Sequence, residues 1–100
     1  MSPATLEAVK SHPPKILRSR KAYRTCHIYV PDSADRLAAI STGSHLYSFF
    51  RALTDREKAI AVVTKLFKKG ESTVITCTPK AYVIWVLEPE ASLKMTVRSA

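Results

Sequence analysis

Glycine and cysteine are scarce in this 100-residue chain, which has only two of each. The glycines, Gly43 and Gly70, are far apart, so the chain has no glycine-rich phosphate-binding loop. The cysteines, Cys26 and Cys77, form no CxxC pair and have no spacing typical of a metal site. These absences argue against the usual nucleotide enzymes and against a structural zinc site. We predict two half-buried strand cysteines that form no disulfide in the cytoplasm.

Long apolar runs and catalytic constellations are absent as well. No run approaches the ~18 apolar residues that would span a membrane, and the first residues lack the pattern of a secretory signal. We therefore expect a cytoplasmic protein. The acidic residues fall mainly at the ends of predicted elements, where caps and turns account for them. The three histidines, His12, His27 and His45, form no set with nearby carboxylates. We predict no enzymatic activity, no cofactor and no metal.

Positive charge is abundant and uneven. The formal net charge is +8, and residues 1–24 carry six Lys or Arg against the single acid Glu7, a net charge of +5. The remaining 76 residues therefore carry only +3. A strongly basic leading segment is typical of contact with nucleic acid phosphates, an anionic membrane or an acidic protein.

The clearest predicted element is a helix over Asp55–Lys69. Thr54 and Glu57 have the spacing of a capping box, and Gly70 fits the left-handed position that ends a helix. Apolar residues recur at three- and four-residue spacing and predict one buried stripe: Ala59, Val62, Val63, Leu66 and Phe67.

Two extended runs follow this helix, Thr73–Thr78 and Ala81–Leu87. Both are rich in β-branched and aromatic residues, which favour strands. The segment Tyr82–Leu87 has no polar residue on either face, so we predict a central strand covered on both sides. The helix would cover one side, and the chain's own ends or a partner would cover the other. Trp85 is expected to face Val63 and Leu66 of the helix.

The upstream half is less regular. Alternation predicts a first strand over Arg24–Val30. The next segment is either a short helix through Ile40 or a hairpin of Arg36–Ser41 and His45–Arg51, and we prefer the hairpin because Gly43 lies where its turn would need positive φ. At the other end of the chain, Ser92–Arg98 alternates and reads equally as an edge strand or a frayed tail.

These elements predict an α+β domain. Its antiparallel sheet of about five strands would carry one long helix on one face, in the order β-β-β-α-β-β. Residues 24–91 would form this domain, after a flexible basic arm over residues 1–23 and before a tail or edge strand over residues 92–100.

Two stretches, Tyr47–Leu53 and Trp85–Ala91, resemble small uncharacterised α+β proteins of cyanobacteria. The resemblance spans residues 28–91 and includes no motif of known function. The strand–helix–strand succession is also similar to the half-repeat of ferredoxin-like and peptidoglycan-binding modules. That likeness concerns architecture and implies no function.

Two functions remain, and both are forms of binding. The first is a small accessory protein that meets an acidic protein, or a second copy of itself, through a basic surface and an apolar sheet face with Ile84 and Val86. The second is an RNA-binding module in which strand aromatics stack on bases; the candidates are Tyr29, Tyr47, Phe49 and Tyr82. The predicted phosphate or anion contacts are Lys15, Arg18, Arg20, Lys21, Arg24, Lys58, Lys65, Lys68 and Lys69.

Overall fold

The computed structural model describes residues 13–93 as six strands and one α-helix. In chain order the strands are β1 (Lys15–Leu17), β2 (Arg24–Ile28), β3 (Leu37–Thr42), β4 (His45–Leu53), β5 (Thr73–Cys77) and β6 (Tyr82–Leu87). The helix α1 (Arg56–Lys68) lies between β4 and β5, and a single 3₁₀ turn, Arg20–Ala22, lies between β1 and β2. The predicted α+β class and the predicted helix are confirmed.

All six strands form one mixed sheet in the order β1-β5-β6-β4-β3-β2. The prediction of a purely antiparallel sheet of about five strands is wrong in one respect, because β1 adds a sixth strand that pairs in parallel with β5. The other four pairings are antiparallel. Part of the segment predicted as a flexible arm thus belongs to the sheet. As predicted, β6 is central and lies between β5 and β4.

The hairpin around Gly43 is confirmed. Strands β3 and β4 pair from Ala39↔Ser48 to Thr42↔His45, so Gly43 and Ser44 form a two-residue turn. Gly43 has φ +60°, a conformation that residues with a Cβ rarely adopt. The alternative short helix through Ile40 does not form, since Ile40 lies in β3.

Helix α1 begins one residue later than predicted. Its N-cap is Asp55, whose side chain accepts a hydrogen bond from the Glu57 amide at 2.8 Å, so the predicted cap at Thr54 is wrong. At the other end, Gly70 has φ +90°. The Gly70 amide donates to the Phe67 carbonyl and the Glu71 amide donates to the Leu66 carbonyl. This is the Schellman arrangement, which satisfies the last carbonyls of the helix.

The core consists of two clusters, one on each face of the sheet. On the helix face, Ala59 and Val63 pack with Ile75 and Ile84, flanked by half-buried residues. On the other face, Ile40, Tyr47, Val74 and Trp85 pack together. The prediction that Trp85 faces Val63 and Leu66 is wrong, because Ile84 points to the helix and its neighbour Trp85 points away. The Trp85 indole N–H instead donates to the Thr76 hydroxyl at 2.9 Å.

The face away from the helix is closed by the sheet's own edges. Leu17 of β1 and Tyr23, next to β2, both pack against the Trp85 cluster, although β1 and β2 are opposite edge strands. Only residues 18–23 connect them, and six flat strands would span about 24 Å at ~4.8 Å per interval. A link shortened by a 3₁₀ turn reaches less than its extended length. The sheet therefore curls around the Trp85 cluster.

The chain continues past β6 to the opposite edge of the sheet. Tyr29 and Ser92 form an isolated antiparallel bridge with two backbone hydrogen bonds of 2.9 Å. On the way, the Ser48 hydroxyl donates to the Glu88 carboxylate at 2.6 Å. Residues 1–12 of the predicted arm and residues 94–100 of the predicted tail or edge strand lie outside the described residues.

Candidate functional site

The predicted cations are all exposed and fall into two groups. Those of the first group lie between the start of β1 and the start of β2; these are Lys15, Arg18, Arg20, Lys21 and Arg24. The others belong to α1 and its C-cap; these are Lys58, Lys65, Lys68 and Lys69. The two groups approach each other at Arg18, which lines a cleft with Arg56 of α1, whereas Arg24 lies in β2, at the opposite end of the strand order.

Most of the residues predicted to stack or to form an apolar interface are buried or half-buried. Ile84 is 0% exposed, while Val86, Tyr29 and Tyr82 are half-buried. Tyr47 is buried, and desolvation raises the pKa of its hydroxyl above the ordinary value of 10.0. The apolar faces of β6 are therefore taken up by the core.

Exposed aromatic side chains lie on β4, where Phe49, one of the predicted stacking residues, is followed by Phe50 and Arg51; these three residues are called the aromatic patch below. Phe49 is 49% exposed and Phe50 43%, and Arg51 is exposed as well. The cause is a shift in register between β4 and β6, where Phe49 pairs with Trp85 and Arg51 with Ile84. Phe50 is the extra residue of this β-bulge, and such bulges re-aim side chains. Phe49 and Phe50 are both presented to solvent, and Phe50 lies beside the guanidinium of Arg51.

The backbone of the aromatic patch is also accessible. Strand β4 pairs with β3 only through residues 45–48, whereas its pairing with β6 continues to Leu53. In the described part of the chain, the β3-side edge of Phe49–Leu53 therefore has no strand partner. Arg36 lies at the same end of the sheet, because it precedes β3 and the two strands are antiparallel.

Contacts hold the aromatic patch in place. The Phe49 and Trp85 rings meet edge to face, with centroids 5.9 Å apart, and the Trp85 indole is fixed by its hydrogen bond to Thr76. The guanidinium carbon of Arg51 lies 5.7 Å from the centroid of the Phe50 ring, within cation–π range. A partner that stacks on these rings would meet side chains that are already partly ordered.

A small cleft forms a second candidate site, between β1 and the first two turns of α1. It has a volume of about 50 Å³. Aliphatic side chains form its wall: Ile16, Ala59, Ile60 and Ile75. The other residues that line it carry polar side chains: Arg18, Arg56, Tyr82 and Cys77. The cleft thus brings together two predicted site residues, Arg18 and Tyr82.

Other kinds of site find little support in residues 13–93. Within that range no three His, Cys, Asp or Glu side chains are close enough to hold a metal ion. Both cysteines are free and half-buried, as predicted, and burial raises the pKa of the Cys26 thiol. No helix in the described range is long and apolar enough to cross a membrane.

Sequence reasoning missed three of the residues that line these sites. Phe50 and Arg51 were read only as part of a strand, although two adjacent Phe residues in a strand cannot both face one core. That adjacency is the signal that could have identified the patch. Arg56 was read only as part of the helix start. Its place beside the cleft depends on β1, which sequence alone did not reveal.

Comparisons with known proteins add no functional information. No protein-family profile matches the chain, and no curated protein or solved structure matches it significantly.

Proposed function

We propose that this protein binds single-stranded nucleic acid, with RNA as the expected partner. Bases would stack on Phe49 and Phe50, and exposed Arg and Lys side chains would contact phosphates. Every base has a flat aromatic face, so stacking on Phe tolerates sequence variation, and each stacked base contributes about 1–3 kcal/mol.

The observation that carries the proposal is the exposure of Phe49 and Phe50 next to Arg51. Large aromatic side chains normally supply core area, yet both rings are more than two-fifths exposed. Phe50 is the extra residue of the bulge between β4 and β6, and bulges occur more often beside functional sites than elsewhere.

Charge supports the same partner. The formal net charge of the chain is +8, which favours a polyanion over a neutral ligand. Arg51 lies in the patch, and Arg36 lies at the same end of the sheet. A single-stranded nucleic acid whose bases stack on Phe49 and Phe50 would therefore have the side chains of Arg51 and Arg36 near its phosphates.

Salt dependence tests the proposal. Fluorescence anisotropy with a labelled single-stranded RNA of about twelve nucleotides should give an affinity that falls steeply between low and physiological salt, because each phosphate contact releases counterions. Arg51→Gln should weaken binding and flatten the slope of log K against log salt by ~0.7, the value for one lost contact to a single strand. Lys58→Gln is the matched control on the exposed side of α1, and it should change the affinity less. Binding that is independent of salt would contradict the proposal.

A second candidate is an acidic protein that adds a strand to β4. The unpaired edge over Phe49–Leu53 favours it, because exposed strand edges accept extended peptides through backbone hydrogen bonds. This partner would be held mainly by the backbone, so replacing Phe49 by Leu should leave most of its affinity. Stacking on bases needs the aromatic face and would be lost in the same variant.

A further inference from the structure

The cleft between β1 and α1 combines an aliphatic wall with two arginine residues, Arg18 and Arg56. The two arginines come from different elements, since Arg18 follows β1 and Arg56 opens α1. Two arginines beside one apolar wall are able to bind the same anion, because each guanidinium offers paired donors to a planar anionic group.

The size of the cleft restricts the ligand. A volume of about 50 Å³ compares with the ~10–15 Å³ that one water molecule needs on the same measure. The cleft therefore accepts a molecule of a few heavy atoms and excludes a nucleotide or a folded peptide segment.

The aliphatic wall decides which anion fits. Arginine forms paired hydrogen bonds with either a carboxylate or a phosphate. A phosphate has oxygens on every side, and those that face Ile16, Ile60 or Ile75 would lose hydration without gaining a donor. A short aliphatic carboxylate has a hydrocarbon end for the wall and a planar charged end for the guanidiniums.

We propose that this cleft is a binding site for a short-chain aliphatic carboxylate of three to five carbons, with Arg18 and Arg56 on the carboxylate and the isoleucines on the chain. The site is separate from Phe49, because the cleft lies on the helix face of the sheet and Phe49 packs on Trp85 on the other face. It does not depend on the proposed binding of nucleic acid.

Methyl NMR of the full-length protein tests this site. Sodium butyrate should shift the methyl signals of Ile16, Ile60 and Ile75, relative to sodium chloride at the same ionic strength. From acetate to butyrate the affinity should rise roughly fourfold per added methylene, because each one leaves water for an apolar wall. n-Butanol and inorganic phosphate each lack one half of the ligand and should bind at least tenfold more weakly.

Matched variants assign the charged end. Arg18→Gln and Arg56→Gln should each weaken butyrate binding about tenfold, the loss expected for a charge-assisted hydrogen bond. Both side chains are exposed, so the variants should fold. Lys58→Gln removes the same charge from α1 without altering the cleft and should leave the affinity within twofold. With an expected Kd of about 1 mM, butyrate should saturate the site at about 100 mM, and the absence of any methyl shift at that concentration overturns the proposal. Equal binding of butanol or phosphate also overturns it. So does a Lys58→Gln variant that weakens butyrate binding as much as Arg56→Gln.

Discussion

Single side chains decide where α1 begins. The Asp55 carboxylate accepts a hydrogen bond from the Glu57 amide at 2.8 Å. Asp55→Ala should therefore lower the free energy of unfolding by about 1 kcal/mol. Thr54→Ala should cost clearly less, because Thr54 is not the cap. Urea denaturation of both variants measures the difference. A larger loss in the Thr54 variant would place the cap back at Thr54.

Trp85 and Thr76 are both buried, and their side chains form a hydrogen bond on the face of the sheet away from the helix. Trp85→Phe and Thr76→Val each leave one partner unpaired in the core, so each should cost roughly 1–3 kcal/mol. The double variant leaves neither partner unpaired.

A double-mutant cycle on the free energy of unfolding isolates this contact. The combined loss in the double variant should be smaller than the sum of the single losses by about 1 kcal/mol. Losses that add to within ~0.3 kcal/mol would mean that the hydrogen bond contributes nothing specific.

At the residue scale, the sequence predicts which helix positions are buried, because these follow from periodicity. It does not predict a choice between two positions or directions that fit the pattern equally well. The buried positions Ala59 and Val63 follow from helical spacing. The face of the sheet on which Trp85 lies does not follow from the sequence. Strand β6 is apolar on both faces, so no alternation of polar and apolar residues distinguishes them. The cap was ambiguous for a similar reason, since Thr54 and Asp55 are both good N-cap residues and only geometry selects one.

At the scale of elements, β1 is the strand that sequence did not reveal. Three residues are too few to show a period, and their partner β5 lies about sixty residues later in the chain. The two hairpin strands around Gly43 were predictable because the turn, the alternation and the loop length agree. The bulge at Phe50 was not, since it depends on the register with β6.

A matched pair of variants tests whether β1 is part of the fold. Leu17 is half-buried and packs against the Trp85 cluster, whereas its neighbour Ile16 is 43% exposed. Leu17→Ala should cost about 1–2 kcal/mol, less than for a fully buried Leu, and Ile16→Ala less than about 1 kcal/mol. Equal and negligible losses in thermal or urea unfolding would indicate that this segment is not packed on the sheet.

At the scale of the whole molecule, curling of the sheet separates core from surface. It closes the Trp85 cluster with the two edge strands and leaves Phe49 and Phe50 outside, next to Arg51. Sequence predicted the basic surface and the aromatic strands, but it assigned the exposed face to β6. Which apolar side chains stay exposed to solvent depends on how the six-stranded sheet curls, and no local sequence pattern encodes that curvature.

Binding of a labelled single-stranded RNA to the Phe49→Ala/Phe50→Ala double variant is the most direct test of the central claim. Phe67→Ala is the control, because Phe67 is a similarly exposed aromatic at 39% on α1. Loss of one or two stacked bases at ~1–3 kcal/mol each should weaken the affinity of the double variant at least about fivefold, while the Phe67 variant binds like the original protein. Equal affinity in all three proteins, with folding intact by circular dichroism, would contradict the claim.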